Sequence, residues 1–156
     1  MRMRPPRKWN LPLTYRPKIP GVIAGTIRQT IRPGLKYAPG DLVAFHGWEG
    51  RPYLSKWSNR TWYFELHLVI DIRIRPVGII PLRWAADDPD LINAYPREFH
   101  DPPVFPGRRI PWSAPAIDEL ARLDGIDPPT GQELGRLFNE MYDLPDDGMD
   151  FQILRW

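Results

Sequence analysis

The stretch that decides the fold is Gly25-Thr-Ile-Arg-Gln-Thr-Ile-Arg-Pro-Gly-Leu-Lys-Tyr-Ala-Pro-Gly-Asp41. Its first part, residues 26–32, predicts a strand or another extended segment. Its two Pro-Gly pairs predict tight turns, because proline presets one backbone angle and glycine tolerates the left-handed region. The apolar run Leu42–Phe45 that follows predicts a second strand. We therefore expect two extended segments joined by a doubly turned loop.

Three basic side chains of this stretch are candidates for contact with an anion. Arg28, Arg32 and Lys36 recur four residues apart, and no acidic residue precedes Asp41 in the chain. The fork of an arginine matches the oxygen atoms of a phosphate, and the two turns restrict where these side chains can lie. We predict that the three residues bind a phosphate or another anion. The alternative is that they are solvated surface charges, as most charged residues are.

Charge is divided unevenly along the chain. Residues 1–75 carry 14 basic and 4 acidic side chains, a balance of +10, whereas residues 76–156 carry 7 and 15, a balance of −8. The two halves can neutralise each other within one fold. A basic half also suits contact with a polyanion, so we predict a nucleic-acid partner.

Length and composition predict one globular domain. The chain has 156 residues, of which 42% are hydrophobic and 26% are charged, and these are ordinary values for such a domain. It has no cysteine, so disulfides and thiolate ligands are excluded. We predict a flexible basic arm over residues 1–10, a single domain over residues 11–156, a cytoplasmic location and no membrane partner. We predict no metal or other cofactor, and the oligomeric state stays open.

The clearest periodicity lies between residues 62 and 74. Apolar side chains occupy every second position there, and this period of two predicts that they face the buried side of a sheet. The run is long for one strand, so we expect a bend or bulge that lets it curve around a small barrel. The set predicted to be buried is Trp62, Phe64, Leu66, Leu68, Ile70, Ile72 and Ile74.

Two helices and a strand are predicted in the last third of the chain. A helix over about residues 114–123 would end at Gly125, and a second would begin at Thr130, which forms a capping box with Glu133. Residues 151–156 predict a final strand. Strands first and helices late indicate an α+β domain, with two or three helices beside a small barrel.

The order of these parts resembles the ASCH family of PUA-like domains. The hallmark of that family reads G-x-K-x-x-T-x-R, followed by a turn and a Gly-Asp pair that opens a strand. Gly25, Thr30 and Arg32 fall on the hallmark, but Ile27 stands where the family has lysine. Further matching pieces are Gly40-Asp41, Gly50-Arg-Pro-Tyr-Leu-Ser-Lys56, Leu120-Ala-Arg-Leu-Asp-Gly-Ile126 and Phe151-Gln-Ile-Leu-Arg-Trp156.

A second frame places the hallmark four residues earlier. Gly21, Thr26 and Arg28 then match, and Ile23 stands at the lysine position, so the lysine is missing in either frame. We prefer the first frame because it keeps the turn and the Gly-Asp pair where the family has them.

The resemblance implies a PUA-like β-barrel with a cleft between the hallmark and the helix that carries the Asp-Gly segment. Several family members resemble RNA-binding modules, at least one small bacterial type is an amidohydrolase of 4-acetylcytidine, and ribonuclease activity is also attributed to the family. In the amidohydrolase type the hallmark lysine, the hallmark threonine and an acid near the last helix do the chemistry. Carried over to this chain, the threonine is Thr30, the acid is Asp124, and Ile27 can neither take nor give a proton.

The missing lysine favours binding over catalysis. A threonine hydroxyl is a weak nucleophile without a base, and Arg28 stays protonated. We therefore predict a cleft that binds RNA, or a modified nucleoside within it, without covalent chemistry. The alternatives are a divergent amidohydrolase or ribonuclease that uses Thr30 and Asp124, and a protein-interaction module. A lysine from elsewhere, such as Lys18 or Lys36, would favour the enzyme if it reached Thr30.

One loop is predicted to supply the aromatic part of the nucleic-acid surface. Tyr53, Lys56 and Trp57 combine rings on which bases stack with a cation that pairs with phosphate. We predict that these three residues contact RNA. The alternative is that Trp57 and Trp48 fill the mouth of the barrel.

Overall fold

The computed structural model of this protein describes residues 4–48, 57–58, 60–100 and 108–156, with only the backbone at 48 and 57–58. The fold class is α+β, as predicted, with most strands before the two longer helices. In chain order the elements are β1 (Lys8–Pro12), α1 (Ile19–Ala24), β2 (Gln29–Pro33), β3 (Leu42–Trp48), β4 (Trp57–Ser58), β5 (Phe64–Glu65), β6 (Leu68–Arg75), β7 (Gly78–Ala86), β8 (Ile110–Pro111), α2 (Pro115–Leu123), α3 (Gly131–Met141) and β9 (Met149–Arg155).

The strands form a small sheet and a large sheet. In the small sheet β3 pairs with β1 in parallel and with β4 and β5 in antiparallel orientation. The large sheet is antiparallel with the order β2-β9-β6-β7-β8. Among the described residues, no strand pairing joins the two sheets to each other, and neither sheet closes into a ring.

Two apolar clusters lie on opposite faces of the large sheet. On one face, strand residues such as Ile70 and Ile153 pack against Leu120 of α2 and Leu134 of α3. On the other face, alternate strand residues pack against β1, β3 and α1 of the small sheet layer. Because both faces are covered, the large sheet is the central layer of the molecule. The second cluster comprises Leu11, Leu13, Ile19, Val22, Tyr37, Val43, Phe45, Leu66, Val69, Leu154 and Trp156.

The helix boundaries follow the predicted signals. α2 ends beside Gly125, which has a φ of 76°, a conformation that glycine adopts without strain. Thr130 caps α3 by accepting a hydrogen bond from the backbone N–H of Glu133. Both helices and the final strand are therefore confirmed. No helix among the described residues has the length and apolar character needed to cross a bilayer.

The alternating run is confirmed only in part. Leu66, Leu68, Ile70, Ile72 and Ile74 are buried, and Phe64 is half-buried, but Trp62 is 88% exposed and its prediction is wrong. The run is not one strand, because β5 belongs to the small sheet and β6 to the large one, with Leu66 and His67 between the two. A further register shift lies between Asp71 and Ile72. The run is therefore interrupted, as the predicted bend or bulge requires, by the change of sheet and by this register shift.

The prediction that residues 1–10 form a flexible arm is wrong for the described residues 4–10. Residues 8–12 form β1, and Arg4 reaches Asp41 at the start of β3. Both guanidinium amino groups of Arg4 donate to the carboxylate, at 2.8 and 2.7 Å. Asp41 has no exposed surface, and it also accepts hydrogen bonds from the backbone of Arg7 and Ala38 and from the indole of Trp9.

These bonds decide the ionisation of Asp41. Burial by itself raises the pKa of this carboxyl, but the hydrogen bonds from Arg4, Arg7, Trp9 and Ala38 together hold the pKa well below its usual range. A carboxyl whose pKa is depressed on folding stabilises the fold above its ordinary value of 3.8, and the stabilisation is lost as the pH falls below that value.

We expect Asp41→Asn to lower the free energy of unfolding at neutral pH by about 1–3 kcal/mol, because bonds to a charged acceptor become bonds to a neutral one. Urea unfolding at neutral pH and at about pH 3 measures the effect. The gap between wild type and variant should shrink at the lower pH. A gap of equal size at both pH values would contradict the role given to the charge.

Candidate functional site

Three elements meet where a buried lysine faces a buried aspartate. Lys18 ends the 3₁₀ turn Arg16–Lys18 just before α1, and Asp124 directly follows α2. Their side chains approach to 3.2 Å between Nζ and Oδ2, with exposed fractions of 4% and 6% for the two residues. Gln29, the first residue of β2, donates from Nε2 to the other carboxylate oxygen at 3.1 Å. The Asp124 carboxylate thus joins the turn before α1, the start of β2 and the end of α2.

Burial changes the ionisation of both partners. Burial lowers the pKa of the Lys18 amine, although the nearby Asp124 charge opposes that shift. Burial likewise raises the pKa of the Asp124 carboxyl, against the opposing effects of Lys18 and Gln29. Each shift moves its group towards the neutral form, because a low-dielectric interior disfavours charge. A lysine shifted in this direction is better able to accept a proton near neutral pH.

Lys18 and Asp124 both line a cleft of about 70 Å³. Thr30 and Arg32 of β2 line the same cleft, and Thr30 is buried. One wall comes from the segment between β1 and α1, and the other from α3 and the residues next to it. The wall residues are Pro12, Leu13, Thr14, Tyr15, Ile31, Ile126, Leu134, Leu137, Phe138, Met141 and Tyr142.

The aromatic walls are held by their own contacts. The hydroxyl of Tyr15 donates to the backbone carbonyl of Asp127 at 3.3 Å and accepts from the backbone N–H of Asp127 at 3.1 Å. The ring of Tyr142 stacks on Phe138 and meets Phe151 edge to face. Both tyrosines are therefore fixed features of the cleft.

Arg32 is the second cation of the cleft. One of its terminal amino groups donates to the carbonyl of Pro12 at 2.6 Å, and its guanidinium lies 6.0 Å from the centre of the Phe45 ring. Burial is the main cause of the lowered pKa of Lys18. The positive charge of Arg32 adds to this shift, whereas the charge of Asp124 opposes it. The arginine therefore lies inside the fold, near the buried pair, and not on an outer rim.

The predicted anion-binding set is divided among three places. Arg32 lines the cleft, whereas Arg28 is exposed and lies outside the residues that line it. Lys36 lies over the rings of Trp9 and Tyr37, at 5.3 and 5.5 Å from their centres. The structure therefore does not gather these three cations at one place, and their contact with an anion stays a prediction.

The predicted catalytic set is brought together. Thr30 and Asp124 line one cleft, as the resemblance implies. The predicted aromatic set is a different case, since Tyr53 and Lys56 lie outside the described residues and only the backbone of Trp57 is described. The aromatic residues that do line the cleft are Tyr15, Phe138 and Tyr142, none of which was predicted.

The position of the missing lysine adjoins the same acid. Ile27 packs over Gly21 and Gly125, so closely that a Cβ atom on either glycine would lie 2.4 Å from its Cδ1. Gly125 is the neighbour of Asp124, and Lys18 supplies the amine there instead. Lys18, one of the two lysines from outside the hallmark that could have reached Thr30, thus lines the same cleft as that residue.

Nothing in the local sequence marked Gln29 or Lys18 as partners of Asp124. The contacts join residues about a hundred positions apart, and only the packing of β2 and the turn before α1 against the end of α2 brings them together. No cluster of three or more side chains suited to a metal ion occurs in the part of the chain that the structure describes.

We expect Lys18→Met to lower the free energy of unfolding at neutral pH by about 3–5 kcal/mol, because it leaves a buried carboxylate without its counter-charge. The double variant Lys18→Met/Asp124→Asn should recover much of this loss, since it leaves no charge buried. Denaturant unfolding of wild type, both single variants and the double variant gives the coupling free energy. Additive losses would contradict the pairing.

The chain matches no protein-family model, no curated protein and no solved structure. Its function must therefore be inferred from its own residues and their geometry.

Proposed function

We propose that this protein binds a nucleoside, free or as an unpaired base in RNA, in the cleft beside Lys18, Thr30 and Asp124. The observation that carries the proposal is the convergence of a buried ion pair, a buried threonine and Arg32 on one cleft with aromatic walls. Buried ionisable groups whose pKa values shift in opposite directions, in a cleft, are typical of functional sites.

The polar side chains that line the cleft suit the edge of a nucleobase. A carboxylate accepts hydrogen bonds from an exocyclic amino group, and a cation donates to a carbonyl oxygen or a ring nitrogen. Asp124 and Lys18 offer these two functions 3.2 Å apart. A base that carries an amino group beside an acceptor, as cytosine does, is the best match. Burial strengthens such contacts because the local dielectric is low.

The size of the cleft limits what enters it. A volume of about 70 Å³ corresponds to roughly five water molecules. This space admits the polar edge of a base, and the sugar would remain at the opening. Tyr15 and Tyr142 line the walls and offer rings on which a base could stack. The chain around the base would lie outside, where cations of the basic half can meet its phosphates.

We also propose that the chain is a divergent ASCH domain with a PUA-like barrel. The support is positional. Thr30 and Arg32 lie on β2, and Asp124 lies at the end of α2 against the same cleft, which is the arrangement that the resemblance implies.

The binding proposal is tested with cytidine and a short single-stranded RNA. We expect Arg32→Met to weaken cytidine binding by roughly tenfold, the size expected when one charged hydrogen-bond donor is lost. Arg28→Met is the matched control, because this arginine lies four residues earlier and outside the cleft. It should leave cytidine binding unchanged.

RNA binding should also weaken as salt rises, because basic side chains displace condensed counterions from phosphates. Calorimetric titrations at two salt concentrations measure both effects. Equal losses in the two variants would place the nucleoside elsewhere. RNA binding that is absent at low salt or indifferent to salt would favour the interaction-module alternative.

A second candidate function is hydrolysis of an acylated nucleoside. The observation that favours it is the presence of Lys18 in the cleft that Thr30 and Asp124 line. The neutral amine of Lys18 would take the proton of the Thr30 hydroxyl while the oxygen of Thr30 attacks the acyl carbon. Lys18 would then return that proton to the departing nucleoside amine, and water would hydrolyse the acyl-threonine ester.

The hydrolysis candidate is tested by incubating the protein with 4-acetylcytidine and measuring free cytidine by chromatography. If it holds, Thr30→Val should abolish turnover, Thr30→Ser should retain part of it, and Ile27→Lys should bring no gain. Loss of the base should cost roughly 10²- to 10⁴-fold in rate, so Lys18→Met should retain little activity. Absence of turnover in the wild type, with cytidine bound, would leave binding as the function.

A further inference from the structure

A larger cavity lies on the other side of the β9 strand from the cleft. It has a volume of about 820 Å³, which is within the range of roughly 300–1,000 Å³ typical of small-molecule sites. The loop between β2 and β3 forms one side, and the end of β7 forms the other. Its lining includes Leu35 and residues 37–40 of the loop, Val69 and Asp71 of β6, residues 83–86 of β7, and Gln152 of β9.

A buried carboxylate lies in this cavity wall. Asp71 is 6% exposed, and one of its oxygens accepts from Nε2 of Gln152 at 2.7 Å. Gln152 is in turn held by both backbone groups of Tyr37, which donates to Oε1 at 2.9 Å and accepts from Nε2 at 3.1 Å. The carboxylate therefore has a fixed position between the large sheet and the loop.

The fixed carboxylate orients an arginine. Arg83 lies directly opposite Asp71 in the β6–β7 ladder, and its Nε donates to the second carboxylate oxygen at 2.5 Å. The side chain of Arg83 is nevertheless 77% exposed. Its two terminal amino groups have no hydrogen-bond partner among the described residues, although the residue lines the cavity.

When an arginine is held through its Nε, the two terminal amino groups of its guanidinium can bind another oxyanion. Carboxylates and phosphates match this fork with two parallel hydrogen bonds, and holding the arginine in advance reduces the entropy lost on binding. Arg4 also lines the cavity, on the side of the loop. The aliphatic side chains of Leu35, Val69 and Ala86 supply apolar surface beside these cations.

We infer that this cavity binds a small organic molecule that carries an oxyanion group, with Arg83 as the residue that receives the anion. The aliphatic wall would contact the body of the molecule. Asp71 and Gln152 are positioning residues, because they act on the ligand through Arg83. The inference does not depend on the proposed function of the cleft, since no residue lines both sites.

The inference is tested with three probes that share an aromatic body, namely phenyl phosphate, benzoate and uncharged benzyl alcohol. Titration calorimetry at constant ionic strength should show saturable binding of at least one of the two anions, and that anion identifies the preferred group. Benzyl alcohol should bind roughly tenfold or more weakly, because it cannot pair with the fork. Binding of neither anion, or equal binding of benzyl alcohol, would overturn the inference.

Variants locate the site. The double variant Asp71→Asn/Arg83→Leu keeps the net charge and leaves no orphan charge buried, so it should fold and lose the preference for anions. Arg73→Leu is the matched control, because Arg73 also lies in the large sheet and pairs with an aspartate, Asp150, at 3.1 Å, but does not line the cavity. It should bind as the wild type does. Anion binding retained by the double variant, or lost equally in the control, would overturn the assignment to Arg83.

Discussion

A lysine and an aspartate can be buried side by side only if their mutual attraction and further hydrogen bonds offset the loss of hydration. The Lys18–Asp124 pair meets this condition because Gln29 donates to the second carboxylate oxygen. The three partners come from the turn before α1, from β2 and from the end of α2. Displacing any of these elements would leave a charge or an amide buried without a partner. The pair therefore restricts where the small sheet layer and the helical layer can lie on the large sheet.

The two sites repeat one arrangement at different strands of the large sheet. In each, a buried glutamine amide holds a buried carboxylate, and the carboxylate holds a cation: Gln29, Asp124 and Lys18 in the cleft, and then Gln152, Asp71 and Arg83 in the cavity. The outcome differs with the exposure of the cation. The buried lysine is shifted towards its neutral form, which suits contact with an uncharged group. The exposed arginine keeps its charge and suits an anion.

Local signals in the sequence were sufficient for α2, α3 and β9, since caps and apolar spacing act over a few residues. They failed where partners are distant in the chain. β1 contains Pro12 and pairs in parallel with β3, so no local pattern distinguished it from a flexible arm. Trp62 follows the period of two but lies before the point where the chain passes from one sheet to the other. For the site, the resemblance named Thr30 and Asp124, whereas Lys18 became a partner only through the fold.

The position of β9 has a consequence for biosynthesis. This strand, residues 149–155, lies between β2 and β6 and pairs with both, so Gln29 is matched with Arg155 across the sheet. Until the ribosome has released those residues, β2 and β6 each present an unpaired edge, and apolar side chains such as Ile31 and Ile72 lack their partners. Contacts between such distant positions form slowly, and exposed edges favour aggregation. We therefore expect β2 and β6 to be prone to association with other strands until residues 149–155 have emerged and paired with them.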